Sequence, residues 1–472
     1  MAVVASVRKT NPRRRSELGL LLMGMLVVLF AYILAFLGVY GNLPADLAEI
    51  TIVIVATGLI VNMANRILAP EADPVLIPVI LVLNGLGYVL MMRLEAYETR
   101  AVPRLAGAFA IYSLVGVAVY ITVLAVIKRS RDLERYRYMI LLLAAFLLVL
   151  PLIPHVGYSI NGARLWVAFG RISFQPVEFA KILLVVFFAS YFVEKRELLS
   201  LRTNRVGNHM LPDLRGFGPV ALAWVASLAV ILLENDIGFS LLLFVIFLAM
   251  LWTATGRYSY LVIGLIAFIV AAFLSAKILP QIDYHLHLWV NPWPYVSGAG
   301  GQSVSAEYFM AQGGLTGTGL GLGTPWLIPV AEQDYAFSAL AVELGLIGAT
   351  AILVGYALVV GSGLRASIRA RSDFSKLLAV GLTASLGFQA FIIMAVNIRL
   401  LPETGITLPF VSYGGSSLVA NFILIALIMR VSQEGSENRV PAHTRERLSR
   451  RDRREAEAAT AALPKARRPR KA

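Results

Sequence analysis

Twelve long apolar runs, poor in charge and separated by short polar connections, constrain this sequence more than anything else in it. They fall near residues 17–40, 47–67, 74–92, 107–127, 136–153, 176–193, 217–233, 236–254, 257–275, 335–360, 374–397 and 407–431. Inside lipid no water is present to satisfy backbone amides and carbonyls, so such runs must form helices that close their own hydrogen bonds. A membrane barrel would alternate apolar and polar residues along each strand, and these runs do not alternate. The expected fold is all-α, a polytopic integral membrane helical bundle of about 12 transmembrane helices. Hydrophobic residues are 58% of the chain and charged ones 15%. A soluble chain carries about a quarter charged, so a soluble or secreted enzyme is excluded.

The basic residues set the sidedness. Arg8, Lys9 and Arg13 to Arg15 precede the first run, which is longer than a signal-peptide core and lacks a small-residue cleavage site, so it reads as a retained span. Lys128–Arg137, Lys195–Arg215 and Arg365–Lys376 mark cytoplasmic loops, and both termini then lie in the cytoplasm. The connection with Arg93, Arg100 and Arg104 goes against the rule, being assigned outside. A formal net charge of +14 spread over loops and tails fits this topology and attraction to anionic membrane lipids, with no nucleic acid partner. There is no cysteine, hence no disulfide or thiolate site, and the five histidines form no HExxH pattern. After Glu434 the composition turns to Arg, Lys, Glu and Ala, as in a disordered tail.

One connection is long. Residues 276–334 form an extracytoplasmic loop with Trp289, Trp293, Tyr295, Tyr308 and the glycine-rich stretch Gly313–Gly323. Loops of this length are usually functional or disordered, and the aromatic content argues against disorder. The glycine-rich stretch lacks the Gly-Lys-Ser/Thr ending of a phosphate loop, which leaves close backbone approach or turn flexibility. Polar residues near membrane depth are costly and therefore candidates for function. Five groups of them fall on the outer side: Asn161–Trp166, Gln175–Lys181, Glu234–Gly238, Pro329–Asp334 with Glu343 beyond it, and Pro409–Ser417. Each has a plain alternative. Glu178 and Lys181 are one helical turn apart and could be a local ion pair; Asp236 beside Gly238 could cap a helix. Ser412 to Ser417 could be a tightly packed helix start. His285 and His287, two apart, fit a hydrogen-bonded role better than metal ligation. Asp334 stands before an apolar helix with no basic neighbour in sequence; it is either a catalytic carboxylate or the N-cap of that helix.

Taken together, the stretches Asn161–Trp166 (N-G-A-R-x-W), Gln175–Lys181 (Q-P-x-E-x-A-K) and Leu408–Ser417 (L-P-F-x-S-Y-G-G-S-S) resemble the SEDS family, the group of bacterial cell-wall polymerases containing RodA, FtsW and SpoVE. The resemblance implies a ten-helix core over 74–432, preceded by a basic cytoplasmic N-terminus at 1–16 and two additional N-terminal helices at 17–73, and followed by the basic tail 433–472. The extra helix pair and the run from Asp73 to Arg93 look more like a RodA-type elongation protein than a division-type one. The implied activity is a peptidoglycan glycosyltransferase of the bacterial inner membrane that polymerises lipid II for cell-wall elongation and cell shape. The family's essential aspartate before the tenth span maps onto Asp334, as general base. The implied substrate-binding residues are Arg164, Glu178, Lys181, Asp236, Ser412 and Ser416, with Arg164 and Lys181 as cations for the leaving diphosphate and a divalent cation (Mg or Mn) as a candidate cofactor. The implied partner is a class B penicillin-binding protein, a single-pass transpeptidase.

The chain departs from the family pattern at Val330, Tyr335, Ala336 and Val342, and in having Glu234 and Asn235 before Asp236. The resemblance therefore assigns no role to Glu332, Glu343, His285 or His287. Two other classes would use similar residues. A lipid-linked precursor flippase would depend on residues through the whole bilayer depth, and a non-catalytic scaffold would tolerate loss of Asp334. The sidedness is open to a direct test, because the chain has no cysteine. A single cysteine placed near Ser303 should react with a membrane-impermeant reagent in intact cells, and labelling only after the membrane is opened would reverse the assignment.

Overall fold

The structure, a computed structural model, describes residues 12–96, 104–160, 163–169, 172–197, 204–206, 209–211, 225, 237–278, 280–298 and 300–437. Thirteen α-helices are described: α1 (Pro12–Tyr40), α2 (Leu47–Leu68), α3 (Leu76–Glu95), α4 (Leu105–Val126), α5 (Arg137–Val149), α6 (Pro176–Glu194), α7 (Ile237–Thr255), α8 (Tyr258–Ile278), α9 (Pro280–Val290), α10 (Gly300–Gly313), α11 (Ala336–Arg369), α12 (Asp373–Asn397) and α13 (Gly415–Glu437). Among the described residues, ten helices are long and apolar enough to cross a membrane, and α8 adds a shorter apolar stretch, Tyr258–Val270. The run expected near 217–233 lies outside the described residues, apart from Val225. The bundle is all-α, with two small antiparallel additions: a sheet of β1 (Gly157–Ile160), β2 (Ala163–Phe169) and β3 (Ile172–Phe174) in that order, and a hairpin of β4 (Asn204–Val206) and β5 (His209–Leu211). α6, α12 and α13 carry the most buried spans, whereas α2 and α5 turn most of their surface outward.

Three boundaries differ from the sequence expectation, each for a local reason. The first helix starts at Pro12 rather than 17, so Arg13 to Arg15 belong to it. Arg14 is buried: it pairs with Glu17 and donates to the carbonyls of Ala69, Pro70 and Ala72 beyond α2. The last helix starts at Gly415 rather than 407, because residues 402–414 form an irregular segment in which Phe410 has φ 67°. It runs to Glu437, into the segment expected to be tail, where Gln433 accepts from the amide of Glu71 and Glu434 from the amide and hydroxyl of Ser130. The remainder of the tail lies outside the described residues.

The third difference shapes the outer end of the molecule. At about 1.5 Å per residue α11 is roughly 50 Å long, more than the ~30 Å hydrocarbon core, and it is interrupted at Gly345 (φ 66°, ψ −169°). That left-handed extended backbone suits only glycine. The groups the break frees are taken up by the glycine-rich loop. Thr318 and Gly319 amides donate to the carbonyls of Val342 and Glu343, and the amides of Leu346 and Ile347 donate to Gly314 and Leu315. The stretch Gly313–Gly323 is thus a structural insert into a broken helix.

The same junction accounts for Arg93, one of the three arginines that opposed the topology rule. Arg93, at the end of α3 and 1% exposed, pairs through Nε with Glu343 Oε1 at 2.7 Å and donates from Nη2 to the Gly323 carbonyl at 2.7 Å. Its guanidinium also lies 4.7 Å from the Trp326 ring centroid. It is a buried partner of α11 and not a loop charge. Removing one member of a buried pair strands the other, at a cost of about 3–5 kcal/mol. Glu343→Ala should therefore lower the unfolding midpoint of the detergent-purified protein sharply, and Arg93→Met/Glu343→Leu should recover most of it. An unchanged midpoint for Glu343→Ala would show that the pair does not carry this junction.

Candidate active site

Pro176 occupies the first turn of α6, where its missing amide costs nothing, and Gln175 ahead of it is extended. One turn in, Glu178 and Lys181 face the protein interior, each fully buried. They are paired, and Lys181 Nζ also donates to Gln389 Oε1 of α12 at 2.6 Å. Gln389 Nε2 donates to the Thr407 carbonyl at 3.0 Å, and Thr407 Oγ1 to Ser417 Oγ at 2.8 Å. The Gln175 amide donates to Ser416 Oγ at 2.9 Å. The ion-pair reading of Glu178 and Lys181 is therefore the geometry found, and the pair belongs to a polar relay from α6 through α12 to α13. Glu178 Oε1 has no hydrogen-bond partner among the described residues.

The segment Leu408–Ser417 is a knot at the start of α13. The Pro409 carbonyl accepts from Tyr356 Oη at 2.5 Å, and the Phe410 carbonyl from Asn84 Nδ2 at 3.3 Å. Ser412, buried, donates from Oγ to the Gln333 carbonyl at 2.5 Å and accepts from the Leu408 amide at 3.0 Å. The Tyr413 amide donates to the Glu332 carbonyl at 2.7 Å. The Ser412 hydroxyl thus both donates to and accepts from the backbone, and Ser416 Oγ accepts from the Gln175 amide.

These contacts converge on Asp334. Its carbonyl accepts from Asn397 Nδ2 at 2.7 Å, and Asn397 Oδ1 accepts from the Ser338 amide and hydroxyl, both at 2.9 Å. The next residue, Tyr335, is 1% exposed and donates from its hydroxyl to Glu403 Oε1 at 2.6 Å. Four consecutive residues, Glu332 to Tyr335, are therefore each held by a different partner, while Asp334 itself is half-buried. The N-cap position of α11 is Tyr335, which makes no side-chain cap bond, so the position the cap alternative gave to Asp334 falls one residue later. Burial, and after it the Glu403 charge, push the Tyr335 phenol well above its ordinary range, so it stays a donor.

The remaining expected residues divide. Arg164 is exposed on β2, which packs against α6. Asp236 lies outside the described residues. Two residues on, Gly238 approaches the 398–408 segment so closely that a Cβ there would stand 2.2 Å from the Thr404 carbonyl oxygen. Among the described residues no three His, Cys, Asp or Glu side chains gather to hold a metal ion, and His285 and His287 form no such site. Glu332 contributes its carbonyl, and Glu343 belongs to the Arg93 pair. Sequence reasoning missed Gln389, Asn397 and Glu403. The first two carried a usable signal, being polar residues inside an apolar run.

Residues 73–437 match the FtsW/RodA/SpoVE family of cell cycle proteins. The chain is 37% identical over 450 residues to the peptidoglycan glycosyltransferase RodA of Mycobacterium tuberculosis, covering 94% of this chain and 95% of that one. Its fold is similar to a chain of a peptidoglycan synthase complex that coordinates polymerization and crosslinking, with a TM-score of 0.61 and 23% identity over 77% of this chain and 98% of that one. It is also similar to the rod shape determining protein RodA of Thermus thermophilus, with a TM-score of 0.55 and 22% identity over 77% and 97%. A family match over residues 73–437 and 37% identity along nearly the whole of a family member mean that this protein belongs to the FtsW/RodA/SpoVE family, the SEDS proteins.

Proposed function

We propose that this multi-pass membrane protein is a peptidoglycan glycosyltransferase that polymerises lipid II into glycan strands for cell-wall elongation, with Asp334 as its general base. The observation that carries the reading is the residue-by-residue anchoring of Glu332–Tyr335 around a half-buried carboxylate. Proximity and orientation are worth many orders of magnitude in rate only when the catalytic group is held still. In the reaction, Asp334 accepts the proton of an acceptor hydroxyl as that oxygen bonds to the anomeric carbon of the donor sugar. The bond from that carbon to the polyprenyl diphosphate breaks, and the diphosphate leaves with the electron pair. The leaving group is already good, so a second carboxylic acid of the glycosidase kind is not required.

Charge develops on the diphosphate, and Arg164, whose side chain is exposed, is the cation assigned to meet it. Lys181, fully buried against Glu178 and Gln389, acts from behind the site, and Glu178, Asp236, Ser412 and Ser416 are the further residues assigned to substrate binding. A divalent cation, Mg or Mn, is the candidate cofactor; brought with the substrate, it would supply further positive charge to the leaving diphosphate. The site faces the outside of the bacterial inner membrane, with both termini in the cytoplasm.

A class B penicillin-binding protein is the proposed partner, consuming the nascent strand by crosslinking it. The surface assigned to its single membrane helix is an apolar groove of about 650 Å³ between α10, α11 and α12. Leu346, Leu353 and Phe391, apolar side chains left exposed, line the groove. Thr350, exposed within the groove, is not needed for the protein's own packing. Thr350→Trp should reduce co-purification of the transpeptidase while leaving the protein monodisperse; undiminished co-purification would remove the groove from the interface.

The activity itself is tested with purified protein, partner and fluorescent lipid II. Asp334→Asn should lower turnover on the order of a hundred-fold or more, the usual worth of a general base, with lipid II binding retained. Arg164→Ala should weaken both binding and turnover, because the diphosphate is charged before and during reaction. Wild-type polymerisation by well-folded Asp334→Asn would overturn the catalytic role of Asp334.

A further inference from the structure

The link between Tyr335 and Glu403 has no part in the chemistry above, yet it adjoins the base. Glu403 lies in the connection between α12 and α13. Its Oε1 accepts from Tyr335 Oη at 2.6 Å and from Ser303 Oγ of α10 at 2.5 Å, and the two hydroxyls are 3.2 Å apart. Hydrogen bonds to a carboxylate are roughly twice as strong as neutral ones. Here two of them fall on one oxygen in a partly buried setting.

The same connection is gripped a second time. Arg399 Nε pairs with Glu307 Oε1 at 3.0 Å, and the Arg399 carbonyl accepts from Trp289 Nε1 of α9 at 3.0 Å. Ser303 and Glu307 are four residues apart, so one face of α10 holds the connection at two points. Arg399 has φ 54°, a backbone setting that non-glycine residues adopt only when their surroundings impose it. Residues 399–403 thus form a brace between the outer helices α9 and α10 and the residue that follows Asp334.

We infer that Glu403 is a positioning residue for glycosyl transfer: through the Tyr335 hydroxyl, and backed by Ser303, it fixes the direction in which Asp334 presents its carboxylate to the acceptor. This rests on the reading of Asp334 as the base. Asn397 holds the carbonyl of Asp334, and Ser412 holds that of the residue before it. Neither controls rotation on the far side of the aspartate, where the peptide enters α11. The buried Tyr335 ring does, and its hydroxyl is anchored at Glu403. Glu403 does not itself meet substrate in this scheme, because Oε1 is occupied twice over.

The test is lipid II polymerisation by the full chain with its partner, measured as kcat and KM separately. Glu403→Ala and Tyr335→Phe should each lower kcat about ten-fold with KM nearly unchanged, since small misplacements of a catalytic group cost rate rather than affinity. Glu403→Gln, whose amide oxygen can still accept, should restore most of the rate. The Glu403→Ala/Tyr335→Phe double variant should be no slower than the worse single one, because both break one link. Wild-type kcat for Glu403→Ala, or a loss confined to KM, alongside an inactive Asp334→Asn would overturn the positioning role and leave the base intact. A wild-type rate for Asp334→Asn would instead overturn the base. Should Glu403→Ala fail to fold, Tyr335→Phe and Ser303→Ala carry the test, and wild-type kcat in both would sink the proposal.

Discussion

At Gly345 the helix α11 turns through a backbone setting closed to other residues, and four backbone groups, two on each side, lose their helical partners. Near hydrocarbon that loss costs several kcal/mol per group unless another segment supplies the missing donors and acceptors. The glycine-rich loop supplies them, with Thr318 and Gly319 on one side of the break and Gly314 and Leu315 on the other. The loop in turn closes against α1, where Gly38 meets Leu320 and Gly321 so tightly that a Cβ at Gly38 would stand 2.5 Å from the Leu320 carbonyl oxygen. The first helix, which precedes the family core, is therefore part of what holds the outer half of α11. That half begins one residue after Tyr335.

The requirement that buried polar groups be paired also explains the density of side-chain contacts around Asp334. An irregular segment such as 402–414 can lie among helices only if its carbonyls and amides find partners. Asn84, Tyr356, Ser412, Ser416 and Ser417 provide them or take part in the network that does. A network of this kind, once satisfied, is rigid, and half-satisfied it would be worse than an apolar core. The rigidity needed to fold the segment is the same rigidity that a fixed base requires, so the family's most recognisable stretch serves structure and reaction at once.

How much of this could be read beforehand depends on which residues carried an unambiguous cost. The spans were legible because an apolar run of about twenty residues has few other fates, and Pro176 marked the start of α6 correctly. The start of α13 was not, because Leu408 to Val411 are as apolar as a helix and only the tertiary partners of Pro409 and Phe410 keep them out of one. Arg93 was misjudged for a related reason. A charge at a span end counts toward topology only if it is free, and the partner that removes it, Glu343, lies 250 residues away. Of the candidate site, Asp334 was legible through the family resemblance together with its isolation from basic neighbours. Glu403 was not, since a lone carboxylate in an outer connection resembles any solvated charge until Ser303 and Tyr335 are seen on it.

Charge balance also divides the labour among the cations in the proposed reaction. Lys181 is neutralised by Glu178 within van der Waals reach and has no exposed surface, so the pair as it stands contributes little net field to a diphosphate arriving at the outer face. Breaking it to free the ammonium would strand a carboxylate, a change costing several kcal/mol. Attraction of the charged leaving group must then come from groups that carry their charge at the surface, Arg164 above all, with a divalent ion brought on the substrate. The buried pair instead holds α6 to α12 through Gln389, and so keeps the Thr407–Ser417 end of the relay in place. Conversion of Lys181 to arginine would preserve the charge and still fail at this task, because a planar guanidinium cannot occupy the space of a compact ammonium between one carboxylate and one amide oxygen.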